Sequence, residues 1–159
     1  MFVEQCFPAG DAGPKRVEVD LAMDNLVPGR TVYVNAVTIL DEYDVVRIEY
    51  QEIPPKEPFP DGLADADDPV WAEWLARNAW PTYPSDDVGT VYDDWGGAEG
   101  LTDDGTATDG EFDFHPAPPV AARWLELAFH GSDRPNKDDD ARYTLRLNLP
   151  LDATSMNQG

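Results

Sequence analysis

A single cysteine, Cys6, stands in the 159 residues. No internal disulfide can form, so the chain carries no mark of oxidative folding. Positive charge is scarce: 11 Lys and Arg face 32 Asp and Glu, for a formal net charge of −21. From Glu57 to Arg123 there are sixteen acidic residues and two basic ones, Arg77 and Arg123. Such a surface repels phosphate backbones and anionic membranes, which argues against direct binding of nucleic acid. No apolar run approaches the length of a membrane span. The opening MFVEQCFPAGDAG is too short and too acidic for a signal peptide. These absences set the expectation of a cytoplasmic protein, or one incorporated into a larger particle.

Catalytic and metal motifs are missing too. There is no HExxH, CxxC, GxSxG or phosphate-cradling Gly loop with Lys. The two histidines, His115 and His130, fall at the ends of expected strands. Neither an enzyme nor a bound cofactor is expected. The acidic run EGLTDDGTATDGEFDF raises the question of calcium, which takes six to eight oxygen ligands. Asp93, Asp94, Glu99, Asp103, Asp104 and Asp109 could supply several. However, the third and fifth positions counted from Asp103 are Gly105 and Ala107, so EF-hand spacing is absent. The stretch from Asp93 to Asp113 reads as a solvated, Gly-rich acidic loop, with no metal residue assigned.

What is present is a folding chain, 42% hydrophobic, with 15 Pro and 12 Gly to make its turns. Apolar residues alternate with polar ones. Val17, Val19 and Leu21 share one face of RVEVDLA. Leu125, Leu127 and Phe129 share one face of RWLELAF, and Tyr143, Leu145, Leu147 and Leu149 one face of RYTLRLNLPL. TVYVNAVTIL is apolar on both faces and suits a central strand. It should pair with VVRIEYQEI across the turn from Asp41 to Asp44. GTVYD and EFDFH read as shorter strands, and MFVEQCF as an edge strand. The sum is an all-β, antiparallel β-sandwich of about seven to eight strands. It spans residues 1–151 as a single domain, with a frayed tail at 152–159.

One stretch breaks the alternation. In DDPVWAEWLARNAWP, Asp68 is placed to cap a helix that begins at Pro69 and runs to about residue 79. It lies in a long insertion, residues 54–84, which holds three of the five Trp and six acidic residues against two basic ones. Trp71, Trp74, Trp80 and Tyr83 fall within thirteen residues, and Trp95 follows. Trp71 and Trp74 sit at helical spacing and suit docking of the helix on the sheet. Trp80 and Trp95 lie in expected loops and should be exposed. The expected partner-binding set is therefore Trp71, Trp74, Trp80, Tyr83, Trp95, Asp65, Asp67 and Asp68.

The run DVGTVYDD, an acidic Gly-rich loop, and then GEFDFHPAPPVAARWLEL resembles bacterial immunoglobulin-like β-sandwich domains. In these, a D-x-G-T-x-Y strand precedes an F-x-P-x-P-P-x-A-x-x-L-x-L segment. The resemblance covers roughly residues 86–130. It implies an immunoglobulin-like fold in which Pro116, Pro118 and Pro119 bend the chain between two strands, and it implies no catalytic residue. The functional expectation is a non-catalytic interaction or assembly module that shows an acidic, Trp-bearing surface to a basic protein partner. Alternatives are a carbohydrate- or calcium-binding module and an acidic nucleic-acid mimic.

Overall fold

A computed structural model of the chain describes residues 1–8, 15–58 and 69–149. The insertion's Asp65, Asp67 and Asp68 and the tail at 152–159 lie outside the described residues. The described part is a two-sheet β-sandwich with one short helix.

The chain enters through β1 (Phe2–Cys6) and then builds a meander of β2 (Lys15–Val27), β3 (Arg30–Leu40) and β4 (Val45–Ile53). Pro54 and Pro55 follow at once, and a residue without an amide donor cannot extend a ladder. Helix α1 (Pro69–Asn78) leads to β5 (Thr82–Asp86). β6 (Asp93–Leu101) and β7 (Thr108–His115) form a hairpin, and β8 (Trp124–Phe129) and β9 (Tyr143–Asn148) complete the chain. One sheet has the order β1-β9-β8-β5 and the other β2-β3-β4-β7-β6. Strands β5 and β6 are therefore the terminal strands of their sheets.

The alternating runs place the core as their pattern requires. Val17, Val19 and Leu21 of β2 are buried against Val32, Val34, Val37 and Ile39 of β3. From the other sheet, Leu125, Leu127, Phe129, Leu145 and Leu147 have no exposed surface. Apolar burial on this scale is the main term holding two sheets together.

Four features differ from the sequence reading. The described residues hold nine strands rather than seven to eight, and β1 pairs with β9 in parallel while the other pairings are antiparallel. Of GTVYD, residues 89–92 are a connection and only Asp93 belongs to a strand, the first residue of β6. In it the Asp86 carboxylate accepts from Val88 N at 3.0 Å, Thr90 N at 3.1 Å and Tyr92 OH at 2.7 Å, which folds the backbone round one side chain. Gly89 supplies the left-handed turn at φ 79°.

The third difference is the reverse. DDWGGAEGL, expected as the start of an acidic loop, is strand β6. Backbone pairing with β7 needs no apolar side chain, so the alternation that marks a half-buried strand is missing there. Gly96, at φ 91°, sits in a bulge between Asp94 and Gly97. The loop shrinks to the turn between Leu101 and Thr108. Asp104 Oδ1 accepts there from Thr102 Oγ1, Thr106 N and Thr106 Oγ1, an arrangement that closes the turn on itself.

The fourth is Trp80, taken for an exposed loop residue. Only 7% of it is exposed, because the chain must pass from α1 into β5 across the mouth of the sandwich. It packs among Tyr50, Phe112 and Phe129.

Leu147→Asp should unfold the domain. Even protonated, an unpartnered carboxyl at that fully buried site costs several kcal/mol, to which the lost Leu packing adds, against the about 5–15 kcal/mol that holds a typical domain together. Far-ultraviolet circular dichroism of the variant checks this. A spectrum and thermal midpoint equal to the parent's would mean that the inward face of β9 is wrongly assigned.

Candidate functional site between the two sheet edges

On β4 the inward positions run Val46, Ile48, Tyr50, Glu52. The fourth breaks the apolar series. Glu52 has no exposed surface, and its two oxygens meet different neighbours. Oε1 accepts a hydrogen bond from Trp80 Nε1. Oε2 has no hydrogen-bond partner and lies 3.7 Å from Lys56 Nζ. Burial pushes the Glu52 carboxyl above its ordinary value, while Lys56, the Trp80 bond and Arg30 pull it back.

Lys56 follows the bend at Pro54. Its backbone N donates to Thr108 Oγ1 at 2.9 Å. Its ammonium donates to Glu99 Oε2 at 2.9 Å and lies 5.8 Å from the Tyr50 ring centre and 6.0 Å from that of Trp80. Glu99 also accepts from Tyr50 OH at 2.5 Å. Gly110, opposite Tyr50 in the ladder, leaves space for that ring: a Cβ there would collide with it.

Of these groups Tyr50, Lys56 and Trp80 border a cavity of about 480 Å³ between β5 and β6. Tyr50, Trp80, Tyr83, Tyr92, Phe112 and Phe114 give it aromatic walls, with Lys56 and Asp94 beside them. The volume is within the range of sites that take small organic groups. Two of the phenols donate to carboxylates, Tyr50 to Glu99 and Tyr92 to Asp86. Burial first and these bonds second push both phenols up, so both hold their protons. Asp86 is displaced the other way. Its burial is outweighed by bonds from Thr90, Tyr92 and Val88, which hold it below the ordinary carboxylate range.

The expected binding residues are dispersed. Trp80 and Tyr83 reach the cavity, and Tyr83 OH donates to Pro135 O at 2.5 Å. Trp74 is buried, with Nε1 donating to Glu57 O and Pro58 O, and Trp71 stacks on it at 5.3 Å. Through these bonds Trp74 ties α1 to the segment that follows β4. Asn78, also buried, donates to Glu57 Oε2 and accepts from Arg30 Nη1, tying the helix to the strands. Trp95 is 59% exposed and lies on β6, its ring stacked on His115 at 4.5 Å. His115 in turn faces Asp44 at 3.3 Å. His130, the other histidine, is buried under Tyr83. Among the described residues no group of three or more His, Cys, Asp or Glu is placed to hold a metal ion.

The sequence reading missed Tyr50, Glu52, Lys56, Tyr92, Phe112 and Phe114. For Glu52 a signal existed: it falls in phase with Val46, Ile48 and Tyr50 on an otherwise apolar face. For Phe112 and Phe114 the alternation in EFDFH was visible but says nothing of an empty space beside them.

No family model, curated protein or solved structure matches this chain.

Lys56→Met should destabilise the protein by about 3 kcal/mol near neutral pH, since it leaves the Glu52 carboxylate buried without its ammonium. A carboxyl raised in the folded state loses stability as the pH climbs above its unfolded value, so this penalty should shrink as the pH falls toward 4.5. Urea denaturation across that range measures it. A penalty that does not vary with pH would show that Lys56 acts by packing on Tyr50 and Trp80 alone.

Proposed function

We propose that the protein is a non-catalytic interaction or assembly module that binds a basic segment of a protein partner along strand β6. The observation that carries this reading is Trp95: a large aromatic ring, more than half exposed, on the terminal strand of a sheet. A terminal strand offers unpaired backbone donors and acceptors, which an extended peptide can match. Every residue of β6 except Glu99 is exposed.

Charge selects the partner. On the outer face, Asp93, Glu111 and Asp113 lie near Trp95 and His115, and Asp109 follows farther along β7 opposite Gly100, where it accepts from Gln51 Nε2 at 2.9 Å. Arg47 pairs with Asp113 at 2.9 and 3.1 Å and lies 3.7 Å from Glu111, which leaves the face negative. A positively charged segment is drawn to such a face from a distance, and an aromatic ring at the contact then slows its departure. The proposal moves the contact surface from the insertion to β6, because Trp74 and Trp80 are turned inward. The likeness of residues 86–130 to immunoglobulin-like domains belongs to the same proposal: such a sandwich fits a binding role without catalytic groups.

The test is kinetic, on the partner captured from the native host. Trp95→Ala should speed dissociation about thirtyfold, the loss of one central aromatic contact. Asp93→Asn, Asp109→Asn and Glu111→Asn together should slow association, and more so at low salt. Binding that ignores both sets of changes would place the contact elsewhere. Binding to a glycan that is insensitive to salt would favour the carbohydrate reading instead.

A further inference from the structure

We infer that the cavity between β5 and β6 is a receptor for the ammonium of a Lys side chain on the partner segment. This deepens the reading of β6 as the binding strand, on which the source of the side chain rests; the cavity's own chemistry does not depend on it.

The first argument is the space. Asp94, Gly97 and Glu99 of β6 lie opposite Phe114, Phe112 and Gly110, on the side facing the other sheet. An acid, a glycine and a second acid cannot fill the interior there, and Gly97 admits no Cβ because the β7 backbone stands against it. The gap remains as the cavity, bounded across the way by Pro81, Tyr83 and Pro84. A strand laid on β6 would send alternate side chains to this side, between the sheets, and the others toward Trp95.

The second argument is the walls. An aromatic face is negative, and more so when its phenol donates to a carboxylate. Tyr50 and Tyr92 both do so. Asp94 adds a full charge at the mouth; its Oδ1 accepts from Gly96 N at 2.8 Å. A cation near such faces gains about 1–2 kcal/mol when partly desolvated.

The third is that the protein already shows this mode of binding. Lys56 holds its ammonium near the Tyr50 and Trp80 rings with a carboxylate as counter-ion. An anionic ligand would have to draw Lys56 from Glu99 and Glu52, which would strand the latter. Lys56 itself lines the cavity and repels a second ammonium, so the ligand's ammonium belongs by Tyr92, Phe114 and Asp94, four residues along β7 from the Gly110 that faces Tyr50.

Nuclear magnetic resonance of the whole protein tests this, because each of the five Trp gives its own indole N–H signal. Nα-acetyl-lysine methylamide should shift the Trp80 signal saturably. Nα-acetyl-norleucine methylamide, which keeps the stem and lacks the ammonium, should bind about tenfold more weakly. Asp94→Asn, at an exposed site, should weaken the lysine derivative about threefold. No saturable shift, an equal response to the norleucine derivative, or tighter binding of Nα-acetyl-glutamate methylamide would each overturn the inference. If the lysine derivative binds while Trp95→Ala leaves partner kinetics unchanged, the cavity stands and the β6 reading falls. The opposite pair of results removes the cavity and keeps β6.

Discussion

A carboxylate with no exposed surface has to be compensated where it stands. Glu52 meets Trp80 Nε1 at one oxygen and Lys56 at 3.7 Å from the other. Much of the surrounding structure follows from that need. Trp80 must come inside to donate, so the chain between α1 and β5 is drawn across the mouth of the sandwich. Lys56, four residues on from Glu52 and past the two prolines that follow β4, comes close to the other oxygen. Lys56 then brings Glu99, and Glu99 accepts from Tyr50. One buried charge thereby links β4, β6 and the entry to β5. Replacing a buried ion pair by apolar residues of similar volume is often neutral or stabilising. The arrangement is therefore better explained by the positions it fixes than by any stability it adds.

Negative charge is distributed by the same logic. Several acids in the interior or at its edge have structural partners: Asp86 folds the connection from Asp87 to Tyr92, and Glu57 accepts from Asn78 and Arg77. Asp87 accepts from Arg123 N, so the two halves of the D-x-G-T-x-Y and P-P-x-A-x-x-L resemblance touch. Asp104 closes its own hairpin turn. On the outer face of the β6–β7 hairpin Asp93, Glu111 and Asp113 stand close together, and Arg47 relieves their repulsion only in part. That charge is what the proposed contact with a basic segment would use.

The architecture was legible wherever one face of a strand is buried and the other is wet. β2, β8 and β9 carry that contrast in every second residue, and the core of the sandwich could be read from them. The helix was legible from Pro69 and the spacing of Trp71 and Trp74. Legibility failed where side chains do not decide the structure. β6 is a strand because β7 offers it a ladder, and DDWGGAEGL has no apolar face to announce this. GTVYD has the β-branched composition of a strand, yet three donors converging on Asp86 hold residues 89–92 as a connection. Both errors come from reading backbone partners off side-chain polarity.

The tryptophans show why the candidate site was harder to read than the fold. Trp80 and Trp95 looked alike in sequence: each lies near proline or glycine and outside any clear period. What separates them is a partner far away in the chain. Trp80 has Glu52, 28 residues earlier, to receive its indole N–H inside the protein. Trp95 stacks on His115 across the hairpin and stays more than half exposed. An indole enters a core readily only if its N–H is met there. The location of Trp80 was therefore written in the out-of-place glutamate of β4 rather than in its own neighbourhood. The same glutamate fixes the wall from which the aromatic cavity is built, so the interior charge and the site beside it have one origin.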